Sequence, residues 1–178
     1  MSIHIPYGRG HIECNLPHDG LLTSRIDTLK SDRPGIEIVR EAVQNPIGTK
    51  KLSELASGKK TCTIIISDHT RPVPSRDILP PMLEALRKGN PDIDITLLVA
   101  TGFHRPTTTA ELEAKLGPEI ANREKILVHD AFDASSNVAI GVLPSGAPLV
   151  IDRAAVETDL LISEGFIEPH FFAGFSGG

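Results

Sequence analysis

Thr61-Cys62-Thr63-Ile64-Ile65-Ile66-Ser67-Asp68-His69-Thr70-Arg71-Pro72 is the stretch that decides the fold. Its first six residues are β-branched or apolar without alternation, which is what a strand covered on both faces of a parallel sheet requires. The run then breaks into an acid, an imidazole and a guanidinium. Ile93 to Ala100 repeats the pattern and breaks into Thr101-Gly102-Phe103-His104-Arg105-Pro106. Leu160 to Ser163 does so again and leads through a short turn to Glu168-Pro169-His170-Phe171-Phe172-Ala173-Gly174-Phe175-Ser176-Gly177-Gly178. In an open parallel α/β sheet, ligands sit beyond the carboxyl ends of the strands. The three runs are therefore expected side by side as central strands, with Arg71, His104 and His170 on one edge.

Helical periodicity fills the intervals. A helix is predicted from Pro34 through Gln44, and a short one over Leu52 to Ala56. Another, capped by Ser75, carries Ile78, Leu79, Met82, Leu83 and Leu86 on one face up to Lys88-Gly89, with Pro80 and Pro81 in its early part. Thr108 or Thr109 caps Ala110 to Leu116, and Lys125 to Val128 is a further strand. Asn137 to Leu143 and Pro148 to Ile151 read as a hairpin, after which Asp152 caps a short helix to Thr158. Ser2 to Leu16 alternates about Gly8-Arg9-Gly10 as an N-terminal β-hairpin. The expected class is α/β: a layered, mostly parallel sheet flanked by helices, Rossmann-like, with that hairpin in front.

A length of 178 residues suits one domain. The net charge of −5, the lack of a basic stripe and the single Tyr argue against a nucleic-acid partner. Cys14 and Cys62 show neither metal-ligand spacing nor a disulfide framework, so a reducing, cytoplasmic setting is expected. No apolar run approaches the ~20 residues of a membrane-spanning helix, and Met1 to Gly10 does not resemble a signal peptide. The last residues follow a strand and a polar loop without a closing helix or charged tail, so the chain reads as cut.

At the sheet edge, Arg71 could grip a carboxylate or phosphate with two parallel hydrogen bonds. Asp68 could orient that guanidinium or accept a ribose hydroxyl. His104, in a tight turn after a strand, and His170, beside two Phe rings, suit general acid/base work. His129 lies among Asp130, Asp133 and Ser135 as in an ordinary solvated loop, and His69 is expected to point away. His4, His11 and His18 show no partner pattern. The glycines from Gly174 to Gly178 could wrap backbone N–H groups around a phosphate, although neither a P-loop nor G-x-G-x-x-G is present.

Together, Ser67-Asp68-His69-Thr70-Arg71-Pro72-Val73-Pro74, Thr101-Gly102-Phe103-His104-Arg105 and Glu168 to Gly178 strongly resemble the lactate racemase family. The resemblance implies an N-terminal domain, residues 1–178, of a longer two-domain enzyme whose C-terminal domain is absent here. It implies racemisation or epimerisation of a 2-hydroxy acid with a nickel-pincer nucleotide as cofactor. On it, His104 and His170 match the paired acid/base histidines and Arg71 a substrate-contacting arginine. Asp68, Thr70, Ser176, Gly177 and Gly178 lie where the family meets its cofactor. The cofactor-anchoring lysine and the nickel-ligating histidine are expected beyond Gly178, so no metal ligand is assigned and these residues alone are expected to be inactive. Two other readings are a metal-dependent hydrolase built from Asp68, His104, His129 and His170, and a non-catalytic nucleotide-binding module.

Overall fold

The computed structural model describes residues 2–15, 17 and 30–177. The chain divides into two compact units, residues 1–32 and 33–178. In the first, β1 (Ser2–Tyr7) and β2 (Gly10–Asn15) pair antiparallel, with Ile3 opposite Cys14 and Ile5 opposite Ile12. This is the expected hairpin; Leu16 and His18 lie outside the described residues.

The second unit runs α1 (Gly35–Gln44), α2 (Leu52–Ala56), β3 (Thr61–Ser67), α3 (Ser75–Gly89), β4 (Asp94–Ala100), α4 (Thr109–Leu116), α5 (Pro118–Arg123) and β5 (Lys125–Val128). It continues with β6 (Asn137–Val142), β7 (Pro148–Asp152), α6 (Arg153–Val156), β8 (Leu160–Ser163), β9 (Glu168–His170) and β10 (Gly174–Ser176). Four strands form a parallel sheet in the order β5-β4-β3-β8. The pairs β6–β7 and β9–β10 are separate antiparallel ribbons.

Alternation along the central strands builds the core. Cys62, Ile64 and Ile66 of β3 and Ile95, Leu97 and Val99 of β4 cluster with Leu79, Met82, Leu83 and Leu86 of α3. Burial pushes the Cys62 thiol up to about 11, so it stays protonated and behaves as a small apolar group. The intervening Thr63 donates its hydroxyl to the Ala154 carbonyl at 2.7 Å, tying α6 to the sheet.

Two expectations need correcting. β8 pairs only with β3 and is an edge strand, with Leu161 49% exposed; its short apolar run looks the same in either place. The position before α3 is Pro74, and Ser75 is instead the first helical residue, its hydroxyl engaged by Glu164. Pro80 and Pro81 occupy the second turn of that helix, where each removes a backbone donor. The burial of Leu79, Pro81, Met82 and Leu83 holds the helix together across them. Thr108 does cap α4, reciprocally with Glu111, and Asp152 caps α6 by accepting from the Ala154 N–H.

Gly89 closes α3 against the backbone of α2, and a Cβ there would stand 2.0 Å from the Ser53 carbonyl oxygen. In an unpacked helix Gly→Ala gains about 1 kcal/mol. Here the added methyl must displace α2, so Gly89→Ala is expected to destabilise by roughly 1–3 kcal/mol in urea unfolding. A gain in stability would show that the two helices are not in contact.

Candidate functional site

The parallel register delivers the ends of β3, β4 and β8 to one edge. Immediately after β3, Asp68 is only 1% exposed. Its Oδ1 accepts from the Thr70 N–H at 3.0 Å and the Thr70 hydroxyl at 2.6 Å, and its Oδ2 lies 2.5 Å from His104 Nδ1. Burial by itself would raise the Asp68 pKa, but the bonds from Thr70 and His104 outweigh it and hold the carboxyl below its usual value. An ionised carboxylate only accepts, so Nδ1 of His104 carries the hydrogen and Nε2 presents a lone pair. The partner of Asp68 is thus an imidazole, and Arg71 is not oriented by it.

Arg71 donates its backbone N–H to the Asp68 carbonyl at 3.3 Å, and its own carbonyl accepts from Lys115 Nζ at 3.1 Å. Its guanidinium has no carboxylate partner among the described residues. Arg105, by contrast, is consumed by Glu111 in a two-pronged pair at 2.8 and 2.5 Å, which keeps that carboxyl well below the usual range. His69 Nδ1 lies 3.2 Å from Thr107 Oγ1, and its Nε2 is 3.7 Å from Glu111. His129 is a brace: its Nδ1 meets Asp152 Oδ2 at 2.9 Å, and its carbonyl accepts the Thr101 hydroxyl at 2.7 Å.

His170 ends β9, stacked on Phe171 with ring centroids 4.7 Å apart and edge-on to Phe172 at 4.3 Å. Its Nδ1 accepts from the backbone N–H groups of Phe172 at 3.4 Å and Ala173 at 3.2 Å, so the neutral ring carries its hydrogen on Nε2. Arg71, His170 and Ser176 border one cavity of about 380 Å³. Thr70 is exposed and engaged with Asp68, and Ser176 Oγ is 3.5 Å from Glu168. Gly177 needs its glycine twice over: φ is +85° and a Cβ would stand 1.9 Å from the Phe166 carbonyl oxygen. Gly178 lies outside the described residues.

Two polar residues of this edge went unnoticed in the sequence. Glu164 follows β8, accepts the Ser75 hydroxyl on Oε1 at 2.5 Å, and has a buried Oε2 without a partner; the Ser67 hydroxyl is likewise buried and unpaired. The signal was available, since Ser67-Asp68 and Ser163-Glu164 both end an apolar strand with serine followed by an acid. Asp68, His104, His129 and His170 do not gather as a donor set: among the described residues no three His, Cys, Asp or Glu side chains could hold a metal ion.

The site is that of a parallel α/β domain with two imidazoles and a bare guanidinium at the carboxyl edge. The lactate racemase N-terminal domain family matches residues 7–178, and the chain belongs to that family. It is 50% identical to the lactate racemase of Thermoanaerobacterium thermosaccharolyticum over 180 residues, covering 99% of this chain and 42% of that protein. The lactate racemase of Lactiplantibacillus plantarum is also 50% identical, over 181 residues, covering all of this chain and 43% of that protein. The chain thus spans about two-fifths of the length of these curated relatives. The lactate racemase apoprotein structure from T. thermosaccharolyticum superposes with a TM-score of 0.87 at 49% identity, over 99% of this chain and 41% of that one. A Thermotoga maritima protein shares the fold, with a TM-score of 0.64 at 21% identity over 80% of this chain and 36% of its own.

Because the folded-state pKa of Asp68 is lowered, its ionisation contributes stability above the ordinary carboxylate range, and that contribution is lost as pH falls through the folded value. Asp68→Asn is therefore expected to be less stable than the parent at about pH 7, with the gap closing towards about pH 3. Urea unfolding midpoints across that range check the sign.

Proposed function

We propose that residues 1–178 are the N-terminal α/β domain of a longer, two-domain racemase or epimerase of a 2-hydroxy acid such as lactate. The observation that carries this reading is the Asp68–His104 pair beside an unpaired Arg71. The family membership and the lactate racemase relatives support it. Arg71 would grip the substrate carboxylate with two parallel bonds. His104, with Nδ1 committed to Asp68, would take the hydroxyl proton on Nε2, and His170, entering as an imidazolium whose Nδ1 has given up its long contacts to the Phe172 and Ala173 N–H groups, would donate one from Nε2 for the opposite hand and end neutral. For the reverse reaction the two exchange roles.

The nickel-pincer nucleotide that the family implies would accept a hydride from C2 and return it. The site fits the polar, organic part of such a group: the Ser67 hydroxyl and Glu164 Oε2 are buried without protein partners. Thr70, Ser176, Gly177 and Gly178 would line its approach, with Asp68 acting through His104 and Thr70. A nickel ligand is proposed to come from the C-terminal part of the full-length protein. Two free cysteines, one of them buried, accord with a reducing cytoplasm.

In the full-length, cofactor-loaded enzyme, His104→Ala and His170→Ala are each expected to lower turnover by at least ~100-fold. Arg71→Lys should lower kcat/KM by at least ~10-fold, because an ammonium cannot reproduce the fork. Chiral chromatography of D- and L-lactate follows the reaction, and unchanged melting curves separate these losses from unfolding. Near-normal racemisation by the double histidine variant would overturn the assignment. Purified alone, residues 1–178 are expected to show neither racemisation nor stoichiometric nickel by metal analysis; either result would make the remaining part dispensable.

A further inference from the structure

We propose that Glu164 and Ser67 form a second recognition point in this cleft, one that binds a hydroxyl group on the neutral part of an anionic ligand whose charge is held by Arg71. The inference rests on the reading of the cleft as a ligand site and adds what else that ligand carries. Ser67 ends β3 and Glu164 follows the adjacent β8. The Glu164 N–H donates to the Ile65 carbonyl at 2.9 Å, extending the parallel ladder, so its backbone is fixed to the sheet.

The carboxylate is fixed as well. Oε1 takes the Ser75 hydroxyl at 2.5 Å, while Oε2 and the Ser67 Oγ are both buried and unsatisfied. Each such group costs about 1–3 kcal/mol when left unpaired, and native structures hold few of them. Two at neighbouring strand ends, bordering the same cavity of about 380 Å³ as Arg71 and His170, require a partner from outside the described fold. A water-sized group entering from the cavity can supply that partner: an ordered water in the empty cleft, or a ligand hydroxyl that displaces it.

The chemistry of that atom follows from what surrounds it. A carboxylate or phosphate oxygen cannot donate and meets like charge on an ionised Glu164; burial raises the pKa of that group, and the Ser75 hydrogen bond and Lys115 work against the rise. A methyl group leaves both oxygens unpaired. An ammonium would face the Arg71 guanidinium in this cavity, although Glu164 and Glu168 both line it. A hydroxyl oxygen both donates and accepts, so one atom can give its hydrogen to Glu164 and receive that of Ser67. Such a hydroxyl belongs either to the sugar of a nucleotide or to a substrate acid with a second hydroxyl.

The test uses the full-length protein without cofactor and two pairs of probes, ribose phosphate against deoxyribose phosphate and glycerate against lactate, titrated by calorimetry. The parent is expected to bind the more hydroxylated member of at least one pair at least ~5-fold more tightly, the value of one net hydrogen bond. A gap in the first pair assigns the hydroxyl to a sugar, and a gap in the second assigns it to the substrate. Glu164→Leu and Ser67→Ala should each erase the gap while leaving the less hydroxylated probe unchanged. Glu164→Gln, which keeps the side-chain shape and can still accept from Ser75, should retain part of it and controls for folding. If Arg71→Ala weakens all four probes but neither pair shows a gap, or the gap survives Glu164→Leu, the subsite is overturned while the wider reading stands. If Arg71→Ala changes none of them, the wider reading fails and the subsite falls with it.

Discussion

Everything at the functional edge depends on β3 being paired on both sides in parallel and in register. Thr61 to Ser67 match Asp94 to Ala100 residue for residue, and Cys62 to Ile65 match Leu160 to Ser163. Three strands running the same way release the chain at one edge, so Asp68, Thr101 and Glu164 emerge beside one another. A slip of one residue would turn every side chain of a strand to the opposite face. Ile64 and Leu97, both fully buried and opposite one another, make that slip costly. The chemistry is therefore held in place by the apolar core beneath it, with α3 and the strands supplying most of the buried surface.

The sheet edge sorts its charges by burial. Asp68 loses most of its hydration, yet hydrogen bonds to a charged group contribute about 1.5–3 kcal/mol each, and it receives them from the Thr70 amide, the Thr70 hydroxyl and His104. That set is sufficient to keep it ionised against the penalty of burial. Arg105 and Glu111 pair at the surface, where screening leaves little stability. Their structural consequence is selective: one guanidinium of the edge is neutralised, while that of Arg71 has no carboxylate partner among the described residues. Lys115 sits between these regimes, its pKa lowered by burial while its ammonium holds the Arg71 carbonyl.

The central strands were legible because β-branched residues crowd Thr61 to Ile66 without alternation, and α1, α3 and α4 because of their apolar spacing; the six-residue α5 was missed because it is too short to show one. The place of β8 was not, since Leu160-Leu161-Ile162 reads alike at an edge and in the interior. Ser75 looked like a cap because serine usually caps; a carboxylate from 89 residues further along the chain claimed its hydroxyl instead. The pairing of Asp68 with His104, across 36 residues, was hidden for the same reason. His104, His170 and Arg71 could be named from their positions after apolar runs, but their protonation states depend on partners that only the fold brings near. The β9–β10 ribbon was missed because three-residue strands carry no periodicity to read.

The two histidines are held by different means, and that difference shapes the site. His104 is fixed by a carboxylate that is itself buried at the end of a core strand, so its tautomer is as secure as the sheet. His170 is fixed by the N–H groups of its own turn and by Phe171 and Phe172, which are themselves 93% and 78% exposed. Its ribbon comprises two three-residue strands, closed by Gly177 passing against the Phe166 backbone. Few buried contacts and exposed backbone bonds place a segment at the low-stability end of a fold. The two imidazoles of this edge thus stand on unlike supports, one rigid on the sheet and one adjustable on a ribbon.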